Sequence, residues 1–160
     1  MNSEIIKTPI GSLQIKTQNN TVVAVNFTDN IDSEDDSISC DQEIIDNYFN
    51  GTLTTIDLKY LLIGTPFQNK VWEEILKIPY GETRTYSDIA TAIGNPKGYR
   101  AVANTCGENK LALIVPCHRV VGKNNYIGGY KWGVDKKAWL LKFEALNKQK
   151  MSVDMLQAIT

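Results

Sequence analysis

Leu111-Ala112-Leu113-Ile114-Val115-Pro116-Cys117-His118-Arg119-Val120 is the stretch on which the fold turns. Residues 111–115 have the length and aliphatic content of a buried strand. Proline cannot donate to a ladder, so Pro116 ends the strand where the thiol begins. Cys117 is then expected at the rim of the core, held on one side and reachable on the other. The one histidine of the 160 residues follows it, and then an arginine. Free cysteines most often only fill space. Cationic neighbours, however, favour a thiolate, and that points this one toward reactivity.

On the C-terminal side, Val120-Val121, the polar residues 122–125 and Tyr126-Ile127 read as a hairpin. Residues 128–133 form a glycine-bracketed loop exposing Tyr130 and Trp132. Asp135 is expected to cap a last helix, with Trp139, Leu140, Phe143 and Leu146 on its buried face and Glu144 at the border. No pattern is legible after Lys148.

On the N-terminal side, Thr65-Pro66-Phe67-Gln68 opens a helix. Thr65 caps, Pro66 suits the first position and Gln68 completes a capping box. Phe67, Val71, Trp72, Ile75 and Leu76 make its apolar stripe, and Pro79-Tyr80-Gly81 stops it. Thr85 with Asp88 opens a second helix, which runs through Ile93 to Gly94. A tight turn over 95–98 leads to a third, Tyr99 to Cys106, ended by Gly107. Helix, short turn, helix is the helix-turn-helix outline. Base edges in a major groove call for several long polar side chains. This last helix carries only Arg100 near its start, then Ala101, Ala103, Asn104 and a Cys106 expected to be buried. Its small residues suit close approach to a backbone or a narrow groove.

Residues 4–28 alternate as a β meander with turns at Thr8–Gly11 and Asn19-Asn20. Residues 28–41 are acidic and serine-rich and read as a surface loop. Cys40 or Asp41 opens a short helix whose apolar face is Ile44, Ile45, Tyr48 and Phe49, with Gly51 ending it. Cys40 reads as packing. Residues 52–59, rich in β-branched side chains, are expected as a further strand. The pattern changes near 62–65, which divides the chain into domains 1–64 and 65–160.

The net charge of −1 hides an asymmetry. Residues 1–64 carry 3 basic and 10 acidic side chains, a balance of −7; residues 65–160 carry 14 and 8, a balance of +6. The second part is therefore expected to meet something anionic, nucleic acid first of all. No apolar run approaches the roughly 18 residues of a membrane span. The N-terminus has no basic stretch followed by an apolar one, so no signal peptide is expected. Three scattered cysteines suit a reducing, cytoplasmic setting and not a disulfide framework. With one histidine and no Cys-x-x-Cys, no metal site is expected.

Together these residues resemble the O6-alkylguanine-DNA alkyltransferases, also called methylated-DNA–protein-cysteine methyltransferases. The resemblance rests on Thr65-Pro66-Phe67-Gln68, Ile78-Pro79-Tyr80-Gly81-Glu82-Thr83, Arg100-Ala101-Val102, Asn109, Pro116-Cys117-His118-Arg119-Val120, Gly129-Tyr130, and Trp139-Leu140-Leu141 with Glu144, in the family's order and spacing. It implies an α+β protein, with a ribonuclease-H-like antiparallel sheet first and a mostly helical, winged-helix-like domain second. It implies a monomer that binds the minor groove of double-stranded DNA, flips out an O6-alkylguanine and takes the alkyl group onto Cys117. O4-methylthymine is a second implied substrate, and no cofactor is implied. In the implied roles His118 reaches the thiol through a water and is oriented by Glu144. Tyr86 protonates the leaving base, and Asn109 braces the turn that carries the cysteine. Arg100 takes the place of the flipped base, with Tyr99, Ala101, Ala103, Asn104 and Arg119 at the DNA. Val120, Tyr130, Lys131 and Trp132 line the substrate pocket.

The chain departs from the pattern at Lys110, where proline is usual, at Tyr99, where a small residue is common, and at Trp132, where many members have glycine. Trp132 is expected to narrow the space for large alkyl groups. Of the rival readings, Cys117 argues against an alkyltransferase-like damage binder, which lacks the nucleophile. The scarcity of base-reading side chains argues against a transcription regulator, and no oxyanion site suggests a cysteine hydrolase.

Overall fold

The computed structural model describes residues 1–29 and 40–159; most of the acidic segment read as a surface loop lies outside them. Three strands, β1 (Asn2–Thr8), β2 (Gly11–Gln18) and β3 (Thr21–Thr28), form an antiparallel sheet in that order. Its registers pair Ile6 with Leu13 and Ile15 with Val25. These four side chains and Val22 are buried, so one face of the sheet is core. Asn19 and Asn20, at φ 52° and 60°, make the tight turn whose twist matches the flanking strands. Helix α1 (Cys40–Phe49) packs Ile45, Tyr48 and Phe49 inward and is tied to β1 by Gln42, whose amide donates to Lys7 O at 3.2 Å.

Helices α2 (Pro66–Ile75), α3 (Tyr86–Ala92), α4 (Tyr99–Cys106) and α5 (Val134–Ile159) build the second part. Both expected capping boxes form. Gln68 N donates to Thr65 Oγ1 at 3.1 Å and Asp88 N to Thr85 Oγ1 at 3.0 Å, caps worth about 1 kcal/mol each. Trp72, 2% exposed, donates its indole N–H to Thr105 O at 3.2 Å and locks α2 to α4. Two short strands, β4 (Arg84–Thr85) and β5 (Val120–Val121), pair in parallel. That pairing is what brings the start of α3 beside the segment that follows Cys117.

Several expectations are corrected. Residues 111–115 are fully buried but are not a strand. Leu111 makes one parallel bridge to Val25 at the edge of β3. The chain then turns back at Leu113 (φ 68°), with Val115 N donating to Leu111 O at 3.0 Å. Residues 52–59 are likewise irregular, and the bridge to Val22 is made by Tyr60 just beyond them. Their β-branched content reflects burial of Ile56, since strand propensity largely reports fit to a half-buried surface. The hairpin after Cys117 reduces to a loop closed by Gly122 N to Tyr126 O at 2.7 Å and Tyr126 N to Lys123 O at 3.1 Å, because β5 pairs with β4 instead. Asp135 lies inside the first turn of α5 and does not precede it. Leu146 is 55% exposed and falls outside the buried face. The helix continues through the patternless tail, whose residues are good helix formers with no core to face. Among the described residues no helix is long and apolar enough to cross a membrane.

Candidate active site

Cys117, His118 and Arg119 form a single 3-10 turn, all three buried. The turn is braced from below by Asn109, itself 1% exposed. Its amide donates to Val115 O at 3.0 Å, and its carbonyl oxygen accepts Leu111 N at 2.9 Å. Lys110, where proline is usual, is itself tied in: its backbone oxygen accepts Val25 N and its ammonium donates to Ile63 O.

Glu144 reaches the turn from α5 and is the most heavily bonded side chain of the site. It accepts from His118 Nε2 at 2.9 Å, from Arg119 Nε at 2.8 Å and Nη2 at 2.9 Å, and from Tyr48 Oη at 2.5 Å. Burial disfavours its charge, but the His118 bond and the Arg119 fork outweigh burial and hold the carboxyl below its ordinary range. An ionised carboxylate only accepts, so His118 Nε2 carries a proton. Burial pulls the His118 pKa down, against the lift from Glu144. The ring is therefore neutral at neutral pH, with the lone pair on Nδ1. That nitrogen is buried and has no hydrogen-bond partner among the described residues. It is a base with an open acceptor position.

The thiol beside it is not a resting thiolate, contrary to the expectation from its neighbours. The imidazole is neutral and the guanidinium is spent on Glu144. Interaction with the adjacent Cys106 thiol, then burial, push Cys117 well above the usual thiol range; Lys137 and Asn109 pull it back only in part. Cys106, expected to be buried, is half-exposed and lies against this site.

Lys137 was not singled out in the sequence. It is fully buried on α5 and donates to Val120 O at 2.7 Å, Gly129 O at 2.9 Å and Tyr86 Oη at 3.4 Å. Burial brings its pKa down to about 8, against the pull of the two thiols. Tyr86, at the start of α3, is pushed up to about 12, first by burial and then by the neighbouring Cys106 and Cys117, so its hydroxyl keeps its proton. Gly128, at φ 77°, leaves the room this phenol needs: a Cβ there would collide with the Tyr86 hydroxyl. One signal for Lys137 was available, since it stands seven residues before Glu144, two helical turns along the same face. Tyr48, the other missed partner, comes from α1, and nothing in its local sequence marks it.

The remaining expected residues divide by exposure. Tyr99, Arg100 and Asn104 are exposed on α4 and Ala101 and Ala103 half-buried beside them, while Val102 and Thr105 face the core. Arg100 rests its guanidinium 5.8 Å from the Tyr99 ring. Arg119 is corrected: it is 6% exposed, locked to Glu144 and Ile78 O, and unavailable to DNA. Val120 is buried, and its carbonyl already accepts from Lys137. Lys131 extends its ammonium to Asn109 O at 2.8 Å. Tyr130 lies close enough to Cys117 for the thiol's charge to raise its pKa further, beyond the larger effect of burial. Trp132 packs edge-on against Tyr130 and Phe27, at centroid distances of 5.3 and 6.0 Å, at the seam with the sheet.

A buried thiol, a neutral imidazole held by a carboxylate and a protonated phenol are thus gathered in one part of the chain. The family described as "6-O-methylguanine DNA methyltransferase, DNA binding domain" matches residues 66–146, and the chain belongs to this family. A protein of Acanthamoeba polyphaga mimivirus named "Probable methylated-DNA--protein-cysteine methyltransferase" is 54% identical over 155 residues, covering 93% of this chain and 100% of the relative. The Methanosarcina barkeri methylated-DNA--protein-cysteine methyltransferase is 48% identical over 103 residues, 64% of this chain and 65% of that protein. Among solved structures, Mycobacterium tuberculosis OGT in complex with DNA superposes with a TM-score of 0.83 at 35% identity, covering 92% of this chain and 94% of that one.

Proposed function

We propose that this chain repairs O6-alkylguanine in double-stranded DNA by irreversible transfer of the alkyl group to Cys117. The observation that carries the reading is the pairing of a protonated, buried thiol with a neutral His118 whose Nδ1 is open. Such a thiol needs a base at the moment of attack, and the next residue of the same turn is a base in the tautomer that can accept a proton. His118 takes the thiol proton through a water, with Glu144 holding the ring. The sulfur attacks the alkyl carbon, a C–S bond forms, the C–O bond breaks, and its electron pair stays on the guanine. Tyr86 supplies a proton to the base, and Lys137 beside it steadies the phenolate. In sum, one alkyl group moves from oxygen to sulfur and one proton from sulfur to guanine. Thiols do not cleave thioethers, so Cys106 cannot regenerate the nucleophile and each molecule reacts once.

The guanine must leave the stack to reach a buried thiol, at a cost of a few kcal/mol. Arg100, exposed beside the small residues of α4, compensates the gap it leaves, a recurrent minor-groove device. On this reading residues 1–64 are scaffold, residues 65–160 hold the chemistry, and the protein works as a cytoplasmic monomer. O4-methylthymine is taken as a second substrate.

Intact-mass measurement after incubation with methylated duplex tests this. The protein should gain one methyl in place of one hydrogen, at Cys117, and stop at one per molecule. Cys117→Ser should gain none while still binding duplex. Methyl mapped to Cys40 or Cys106, or continued turnover, overturns the reading.

A further inference from the structure

One side chain from the first part of the chain enters the hub around Glu144. Tyr48, on α1 and 2% exposed, donates its hydroxyl to Glu144 Oε2 at 2.5 Å, a separation usual for a hydroxyl on an ionised carboxylate. His118 Nε2 and Arg119 Nη2 donate to the same oxygen, each at 2.9 Å. Among the described residues Oε1 takes Arg119 Nε alone. A carboxylate offers about four acceptor positions, about two to each oxygen. The donors on Oε2 therefore compete, and what the phenol draws from that oxygen the imidazole does not receive. The phenol does not owe its place to this bond. Its ring packs edge-on against Phe49 and Tyr80, at centroid distances of 5.0 and 6.3 Å, and tilted against Phe143 at 6.1 Å. Burial first, then the charge of Glu144 and the bond to it, hold the hydroxyl well above the usual phenol range, so it remains a donor.

Around the imidazole stand Arg119 and Cys117 from its own turn and Glu144 and Lys137 from α5. Tyr130, from the loop before α5, lies near Cys117 and Glu144, and Tyr48 meets Glu144. Burial opposes a charged ring, Glu144 favours it, and Arg119 and Lys137 oppose it. How much of the carboxylate is left for His118 therefore decides the ring's charge. We propose that Tyr48 is a positioning residue of the reaction: by donating to the oxygen that orients His118, its hydroxyl limits the carboxylate's hold on the imidazole and leaves Nδ1 free to take the Cys117 proton. The proposal rests on the alkyl-transfer reading for the use to which that base is put. It makes the strength of the base depend on α1, outside the part of the chain that holds the chemistry. The other use of such a bond is a plain tie between α1 and α5, and the two differ in what they predict.

Tyr48→Phe deletes the hydroxyl and keeps the ring. The chain has a single histidine, so NMR follows its imidazole through a pH titration without ambiguity. With one donor gone, Glu144 favours the charged ring more strongly. The midpoint of the His118 titration should rise by about one pH unit, the worth of one ordinary hydrogen bond. The acid limb of single-turnover methyl transfer to Cys117 should move up by the same amount, with the plateau above it retained. Phe143→Leu is the control. It loosens the packing around Tyr48 but keeps the hydroxyl, so it should lower the melting temperature and leave both midpoints in place. A His118 midpoint unmoved or lowered in folded Tyr48→Phe overturns the proposal and reduces the bond to a tie between α1 and α5. So does an equal upward shift in Phe143→Leu. A midpoint that rises while the acid limb stays put also overturns it, since another group then takes the thiol proton. If the midpoint rises but Cys117 is never methylated, the hydroxyl still sets the base and the alkyl-transfer reading falls.

Discussion

Helix α5 buries two opposite charges on one face, two turns apart, and treats them differently. Glu144 is met by a guanidinium fork, an imidazole and a phenol. Lys137 is met by two backbone carbonyls and a phenol and, among the described residues, by no carboxylate. The first is a satisfied ion pair whose charge is settled before any ligand arrives. The second is a buried cation lacking an anion, and its pKa sits near 8 because burial is not fully compensated. A site that must stabilise negative charge appearing only during reaction needs a positive charge not already neutralised. In the proposed mechanism that charge appears on Cys117 and Tyr86, and Lys137 is adjacent to both. Glu144 accordingly fixes geometry, and Lys137 waits for chemistry.

The comparison is broken most severely at Glu144. Glu144→Ala leaves Arg119, His118 and Tyr48 buried without their common partner. Removing one member of a buried pair costs about 3–5 kcal/mol, so thermal unfolding should shift sharply down or the protein should fail to accumulate. The same hub predicts acid sensitivity. Glu144 has a folded pKa below its unfolded value, so its stabilisation is present above the unfolded carboxylate range and is lost as pH falls. His118, also depressed, has the same sign and begins to act as pH falls through the ordinary imidazole range near ~6.5. Glu144→Ala should flatten this acid dependence, and an unaltered melting temperature would show that the hub is not structural.

Lys137→Met should do the reverse. It removes an uncompensated buried charge, so stability should hold or rise, while methyl transfer should slow by about 10²–10³, the usual effect of losing one preorganised donor. The pH profile sharpens this. The ammonium is present below about 8 and lost above it, so the native rate should fall as pH rises through that value. The alkaline limb should vanish in Lys137→Met. A variant that loses stability and rate together, with the limb intact, would make Lys137 a packing residue only.

How much of this was legible depends on how far each residue's partners lie along the chain. The capping boxes at Thr65 and Thr85 are local, three residues apart, and formed as read. His118 and Glu144 could be assigned because the family pattern spans them. The fate of 111–115 was not readable, because an aliphatic run reports burial and not pairing. Whether it forms a strand depends on what Asn109 and the edge of β3 offer it. Arg119 was misread for the same reason. An arginine beside a reactive thiol in a basic segment looks like a phosphate contact until Glu144 and Tyr80 are seen to enclose it. Tyr48 was invisible, since its bond to Glu144 joins residues 96 apart.

The smallest expected effect concerns Trp132, which touches neither charge. Expected as a wall of the alkyl pocket, it packs against Tyr130 and Phe27. Tyr130 lies near the thiol, and on the proposed alkyl-transfer reading the indole would limit the pocket by pinning Tyr130 in place. A methyl group fits without displacing Tyr130. A benzyl group requires it to move, and overpacking of this kind costs about 1–3 kcal/mol. Trp132→Gly frees Tyr130 to yield, so the ratio of benzyl to methyl transfer rates should rise about tenfold, the equivalent of roughly 1.4 kcal/mol. Losing the indole should also lower the melting temperature, because Phe27 and Tyr130 lose an edge-on partner. Trp132→Phe separates the two effects. It keeps a ring against Phe27 and Tyr130 and should retain both stability and the native ratio. A ratio unchanged in folded Trp132→Gly would confine the indole to holding the sheet against the second part of the chain.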